Sequence, residues 1–142
     1  MSRKEQIAVT CQQCSHEQKA TLWRSVNVTL DPEAKKEVLG GKLNFFQCSK
    51  CNYQSSLDAD LVYHDMEKEF IVMYYPLTSL GEVDLTSEFD RHGRFAFDLG
   101  ENPAGETAYD YGKDIHVVFD MNELARYVFF REKLFKAYGS KR

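Results

Sequence analysis

The chain contains the sequence Cys11-Gln-Gln-Cys14 and, after residues 15–47, the sequence Cys48-Ser-Lys-Cys51. Structural zinc binds four soft ligands in a tetrahedron, and two C-x-x-C turns can supply them with little loss of chain entropy for each pair. The spacing therefore predicts one structural zinc ion bound by Cys11, Cys14, Cys48 and Cys51. A rubredoxin-like iron site and a redox dithiol are the alternatives that use the same spacing.

The beginning of the chain bears on the state of these cysteines. No apolar run follows the charged start Met1-Ser-Arg-Lys-Glu5, so the sequence predicts neither a signal peptide nor a membrane-spanning segment. We therefore expect a cytoplasmic protein without membrane contact. Because the cytosol keeps thiols reduced, two close pairs of cysteines are better explained there by a metal than by disulfides.

The segments around the two cysteine pairs have the patterns of strands and one short helix. Residues 17–30 alternate between apolar and polar side chains, as a half-buried strand does. Asp31 is a good N-cap before Pro32, and Gly40 is a stop signal, so a helix of about two turns is predicted between them. Residues 43–47 form a candidate strand that leads into the second pair.

The second half of the chain contains an apolar strand followed by polar turns. Residues 69–75 are apolar on both faces and are predicted to lie centrally in a sheet. His92-Gly93 is a turn signal between alternating segments, which predicts a second hairpin. Residues 100–114 are predicted to form a mobile surface loop, and residues 115–119 a short strand.

A long amphipathic helix is predicted over residues 123–138, with Asp120 or Asn122 as its N-cap. Phe129 and Phe130 widen its apolar arc beyond one narrow stripe. The helix is therefore expected either to be buried on two sides or to pack on a second subunit, which would make a homodimer.

The net charge of −4 is unevenly distributed, since residues 82–120 are strongly acidic and residues 121–142 are basic. A negative protein repels phosphate backbones unless a local basic face opposes the total. The best such face is formed by the basic residues of the C-terminal segment, which are Arg126, Arg131, Lys133, Lys136, Lys141 and Arg142. Basic residues on an amphipathic helix are ordinarily its solvated side, so nucleic-acid binding is the second hypothesis.

His64, Asp65 and the nearby Glu67 offer a third hypothesis, an acid–base or metal site of a hydrolase. Adjacent residues of a strand point to opposite faces, so His64 and Asp65 cannot both face one ion unless a turn has begun. His16 is close enough in sequence to hydrogen-bond a thiolate, although an exposed side chain explains it as well. No serine elbow, P-loop or dinucleotide-binding motif is present.

At these residues the chain resembles the CpXC family of small proteins. The segments that carry the resemblance are the two cysteine pairs, Ser25-Val-Asn-Val-Thr-Leu-Asp-Pro32, Tyr63-His-Asp-Met-Glu-Lys68, Tyr75-Pro76 and Asn122-Glu-Leu124. The resemblance implies a zinc-ribbon-like site on Cys11, Cys14, Cys48 and Cys51. It implies no particular activity, because the family is functionally uncharacterised.

The chain departs from the family pattern within the two turns. Gln12 and Ser49 stand where the family has proline, and Ser15 and Asn52 stand where glycine is usual. The ligands are kept, so we expect the metal site to persist but to be looser, or its metal easier to remove. Residues 77–113 carry none of the resemblance.

Together these patterns predict an α+β fold in a single domain of residues 1–142. A zinc ribbon with one short inserted helix is expected over residues of about 5–60. It is expected to continue into an antiparallel sheet, which together with the C-terminal helix occupies residues of about 61–138. The predicted function is that of a non-enzymatic, structural-zinc-binding adaptor or regulator that contacts an unknown protein partner. A nucleic-acid-binding zinc ribbon is the second hypothesis, and a hydrolase centred on His64 is the third.

Overall fold

The computed structural model of the chain describes residues 2–81, 84–95, 111 and 114–139. Its strands are β1 (Arg3–Thr10), β2 (Glu17–Asn27), β3 (Phe45–Gln47), β4 (Gln54–Ser56), β5 (Leu61–Asp65), β6 (Phe70–Tyr74) and β7 (His116–Val118). Its α-helices are α1 (Pro32–Leu39), α2 (Leu85–Glu88) and α3 (Met121–Tyr138). The predicted loop over 100–114 lies outside the described residues, apart from positions 111 and 114.

The main sheet has five strands in the order β1-β2-β5-β6-β7, and β3 pairs with β4 in a separate two-stranded sheet. The α+β class is confirmed, and β6 lies inside the sheet as its apolar pattern predicts. The sheet is mixed rather than antiparallel throughout, because β2 runs parallel to β5 and β6 runs parallel to β7. Between β2 and β5 the long segment 28–60, which contains α1, β3 and β4, forms the crossover that a parallel pair requires, and β5 then pairs with residues 25–27 at the end of β2.

The main core lies between this sheet and the two longer helices. Its buried side chains come from β2, α1, β5, β6, β7 and α3, and its least exposed members include Leu61, Tyr63, Val72, Leu124 and Val128. One apolar cluster therefore joins elements that lie far apart in the sequence.

The helix ends follow the predicted signals except at the start of α1, where Asp31 occupies the N-cap position but its side chain makes no capping hydrogen bond. Asp120 caps α3 by accepting hydrogen bonds from the backbone N–H groups of Asn122 and Glu123, at 2.6 and 3.1 Å. Gly40 ends α1, and its backbone N–H donates to the carbonyl of Lys36. Helix α3 buries one stripe only: Phe129 and Phe130 remain 55% and 53% exposed. Among the described residues, burial of α3 on two sides is thus not observed, and packing of this face on a second subunit stays a prediction.

The predicted second hairpin is present over the part that the structure describes. Phe89 and Phe95 form an antiparallel bridge, and Gly93 adopts a φ of 78° at the turn between them. None of the helices in the described ranges is long and apolar enough to cross a lipid bilayer.

Candidate metal centre

Each cysteine pair lies on a turn of the same construction. In the first turn the N–H of Ser15 donates to the carbonyl of Cys11 at 2.9 Å, and in the second the N–H of Asn52 donates to the carbonyl of Cys48 at 2.9 Å. Ser15 and Asn52 have φ values of 62° and 63°. Glycine is favoured in this left-handed backbone conformation. The two turns therefore keep the conformation that favours glycine, although serine and asparagine occupy the positions.

The two turns bring the four sulfur atoms together. The Sγ atoms of Cys11 and Cys51 are 3.6 Å apart, those of Cys14 and Cys48 are 3.5 Å apart, and all four lie within 4.8 Å of one another. A disulfide has a sulfur–sulfur distance of about 2.05 Å, so these are free thiols. A tetrahedral zinc ion with Zn–S bonds of about 2.3 Å requires sulfur atoms about 3.8 Å apart. The cluster can therefore hold one metal ion.

The surroundings of the sulfurs are apolar but small. Cys11 and Cys48 are buried together with Phe46, while Cys14 and Cys51 are partly exposed. This cluster is separate from the main core, and two of its three buried members are the cysteines themselves. Besides the cysteines, the cluster is completed by partly buried apolar side chains, which are Val9, Ala20, Tyr53 and Leu57. The apolar surface that holds the two turns against each other is thus much smaller than the main core.

The electrostatics of the cluster favour a cation. Burial acts to raise the pKa of the Cys48 thiol, but hydrogen bonds from the backbone N–H groups of Cys51 and Lys50 outweigh it and lower that pKa to about 6. The N–H of Tyr53 acts to lower the pKa of Cys51, whereas burial and the neighbouring sulfurs raise it to about 12. One negative charge is therefore stable on the cluster and a second is opposed by the first. A divalent cation removes that repulsion.

A side chain of β2 joins the two turns without the metal. The amide Nε2 of Gln18 donates to the carbonyl of Gln47 at 3.0 Å, and its Oε1 accepts from the N–H of Ser49 at 2.8 Å. The Ser49 hydroxyl donates to the same oxygen at 3.1 Å. Proline has no N–H, so serine at position 49 supplies a donor that the family's proline lacks. This contact works against the loosening predicted for that departure.

A second tie lies where the main sheet meets the second turn. Asn44 is 5% exposed and has a φ of 51°, and its side chain pairs with the backbone of Trp23 in both directions. Its Oδ1 accepts from the Trp23 N–H at 2.8 Å, and its Nδ2 donates to the Trp23 carbonyl at 3.0 Å. Sequence reasoning identified neither Gln18 nor Asn44. The tolerance of asparagine for positive φ is the one signal from which Asn44 could have been identified.

The other candidate residues do not join the sulfur cluster. The ring Nε2 of His16 lies 3.3 Å from the Ser49 hydroxyl. His64 Nε2 lies 2.7 Å from the hydroxyl of Tyr111, whereas Asp65 is 1% exposed on the other face of β5 and accepts from the N–H of Lys68 at 2.9 Å. His64 and Asp65 therefore diverge, as the strand geometry predicts, and they form no pair for acid–base chemistry.

Two of the basic residues of α3 lie against aromatic rings. The Arg131 guanidinium lies 4.9 Å from the ring centroid of Phe70 and donates to the Lys68 carbonyl at 3.4 Å, so it packs against the sheet. Lys133 lies over the Phe129 ring at 5.2 Å. Lys141 and Arg142 fall outside the described residues.

Comparison with known proteins gives one match. The family model described as CpXC protein matches residues 9–135, which include both cysteine turns, the main sheet from β2 onwards and most of α3. Comparisons with curated proteins and with solved structures gave no match.

Proposed function

The chain belongs to the CpXC family, and from this and the sulfur cluster we propose that it is a non-enzymatic protein whose four cysteines bind one structural zinc ion. The observation that carries the proposal is the convergence of four thiols within 4.8 Å. With four thiolates around one tetrahedral ion, no coordination position remains for water or a substrate. The ion then stabilises the fold, and the protein acts by binding a partner.

The same proposal treats the chain as one domain. The main core draws on elements from β2 to α3, and β1 and β2 belong both to the main sheet and to the first cysteine turn. The metal then fixes the second turn onto a hairpin that the sheet already holds.

Elemental analysis of the purified protein tests the metal. We expect about one zinc per chain, lost in Cys48→Ser together with the order of both cysteine turns. Iron in the same four-thiolate site would give visible colour. A coloured protein that contains iron would therefore change the proposed metal from zinc to iron. A folded wild-type protein that contains no metal would contradict it.

For the partner we propose another protein that docks between α1 and α3. A groove of about 660 Å³ lies there, lined by Phe129, Phe135 and Leu39 together with Lys133 and Lys136. Phe129 is 55% exposed and Leu39 is 42% exposed, and the two lie together in this groove, where a contiguous apolar patch is typical of an interaction site. The lysines beside them favour an acidic amphipathic segment, whereas two copies meeting at this groove would oppose lysine to lysine.

A photo-crosslinking side chain at position 129 tests this face in cells, with Leu77 as the matched control because it is also apolar and 73% exposed. We expect a defined crosslinked partner from position 129 and none from position 77. Light scattering tests the homodimer: a dimer that Phe129→Ser dissociates would assign the groove to a second copy instead.

A further inference from the structure

A second groove, of about 410 Å³, lies between the β1–β2 hairpin and the segment that joins α1 to β3. One wall contains Lys4, Lys19 and Trp23, and the other contains Lys42 and Phe45. Glu37 is the single carboxylate among its lining residues. The groove is therefore locally basic in a protein whose net charge is −4.

The lysines of this groove lie beside aromatic rings. The Lys4 ammonium is 4.9 Å from the centroid of Trp23, and the Lys42 ammonium is 4.6 Å from the centroid of Phe45. Within the described part of the chain no carboxylate forms an ion pair with Lys4, Lys19 or Lys42. The rings of Trp23 and Phe45 are half-buried, and Trp23 packs against the main core, so the groove presents positive charge beside the exposed parts of two fixed aromatic rings.

The two walls are held at a fixed separation. Asn44 joins the second wall to the Trp23 backbone, and Gln18 joins β2 to Gln47 and Ser49 at the end of β3. These four side-chain bonds cross from the hairpin to the inserted segment, so the groove exists before any ligand arrives. Its second wall continues directly into the second cysteine turn.

We propose that this groove binds single-stranded nucleic acid, with bases stacked on Trp23 and Phe45 and phosphates paired with Lys4, Lys19 and Lys42. Sequence-tolerant single-strand binding uses this combination of a basic groove and aromatic platforms. A lysine–aromatic contact that is exposed to water is weak, so a base can take the ring face while the ammonium turns to a phosphate. The proposal rests on the proposed metal centre only in that the second cysteine turn anchors β3.

Two other ligands, an acidic peptide and duplex DNA, would each use the lysines of the groove but not its aromatic rings. An acidic peptide would pair with the lysines but would leave the two aromatic faces without a planar partner. Duplex DNA offers phosphates, but its bases are already stacked in the helix and cannot reach the rings. An unpaired base linked to phosphate uses both features, which is why the single strand is favoured.

Trp23 is the sole tryptophan of the chain, so intrinsic fluorescence reports directly on this site. We expect a titration of the zinc-loaded full chain with a ten-nucleotide oligo-uridine or oligo-thymidine to quench its emission at low salt. With three phosphates neutralised, log affinity should fall against log salt with a slope of about −2, since each contact contributes about −0.7 on a single strand. Absence of quenching and of any anisotropy change of a labelled oligomer at low salt would overturn the proposal.

Two charge variants separate the groove from general electrostatics. Lys4→Gln with Lys42→Gln removes two charges from the groove, and Arg91→Gln with Arg126→Gln removes two exposed charges elsewhere. We expect the first pair to weaken binding at least tenfold and the second pair less than twofold. Equal losses would contradict the proposal, because binding would then follow total charge or the α3 surface.

Competitors and the metal content complete the test. Oligo-glutamate, duplex DNA and uridine monophosphate are each expected to compete at least tenfold less well than the oligomer. If any one of them competed as well as the oligomer, the proposal of a single-stranded ligand would be wrong and that competitor would be the favoured ligand. Zinc is measured in the same sample, so that zinc-loaded protein without quenching contradicts the groove alone, while folded metal-free protein contradicts the metal centre alone.

Discussion

The cysteine turns and the main core stabilise the chain by different physical means. Around the sulfurs a single aromatic side chain, Phe46, is buried beside Cys11 and Cys48. In the main core, by contrast, apolar side chains from six elements pack into one cluster. A small apolar cluster gives little stability of its own, and proteins commonly supplement it with a bound metal. The comparison supports the proposal that a metal replaces a core at one end of the molecule, while the other end is held together by its own apolar cluster.

The boundary between the two regions is not a break in the chain. Strands β1 and β2 carry the first cysteine turn and also form one edge of the main sheet. The second turn reaches that sheet through Asn44 and Gln18, whose side chains bond to backbone groups across the boundary. Loss of the metal should therefore release the second turn more than the first.

Removing the metal is the largest perturbation we predict. Structural zinc contributes about 10–16 kcal/mol of apparent binding free energy in small zinc-dependent folds, which exceeds the stability of a typical domain. After treatment with a chelator we expect hydrogen exchange to lose its protection in β3 and β4 and to keep it in β6 and α3. Uniform loss of protection would break the comparison, because the main core would then depend on the metal as well.

Shortening a side chain of the main core should have the opposite result, which is lower stability of the whole fold without loss of the metal. Leu124 is fully buried in α3, and Leu→Ala at such sites costs about 2–5 kcal/mol, because the removed atoms leave a cavity. Leu124→Ala is expected to lower the urea midpoint while zinc per chain stays at its wild-type value. Phe129→Ala is the matched control on the same helix: at 55% exposure it should change the unfolding free energy by about 0.5 kcal/mol or less.

The dependence of zinc affinity on pH tests the cysteine cluster without involving the main core. The pKa values of Cys14 and Cys51 are raised in the metal-free cluster, that of Cys51 to about 12, so zinc must displace protons from both. Affinity for zinc is then expected to rise with pH, by about tenfold per pH unit for each proton released. Competition with a chelating dye at pH 6, 7 and 8 measures this. An affinity independent of pH would mean that the cluster is already ionised before the metal binds.

The sequence allowed prediction of whatever depends on neighbouring residues. The cysteine spacing, the cap at Asp120 and the stop at Gly40 each act within one turn of the chain, and each was found where the pattern indicated. The separation of His64 from Asp65 also followed from local strand geometry. Local rules therefore accounted for these helix ends, for the separation of His64 from Asp65 and for the two cysteine turns taken singly, whereas the helix α2 was not predicted.

Contacts between distant segments were beyond those rules. The parallel pairing of β2 with β5 depends on where residues 28–60 return to the sheet, and no period in the sequence specifies that. The bonds of Gln18 to Gln47 and Ser49 are made by polar residues that look like ordinary surface positions. The basic groove beside Trp23 is likewise assembled from two walls that are separated in the sequence.

The smallest effect that we predict concerns the tie between the regions. Gln18→Ala removes the hydrogen bonds to Gln47 and Ser49, which are exposed, so water replaces them and the loss lies at the low end of the about 0.5–1.5 kcal/mol of a typical hydrogen bond. Zinc-loaded protein should therefore keep its urea midpoint nearly unchanged, because the metal still holds both turns, but it should release zinc to a chelator several times faster. Gln6→Ala, on the neighbouring strand and exposed, is the control that should leave the release rate unchanged. A release rate unaltered in Gln18→Ala would mean that the metal alone joins the two turns, and Ser49→Ala, which removes the hydroxyl but keeps the N–H that donates to Gln18, should then be equally silent.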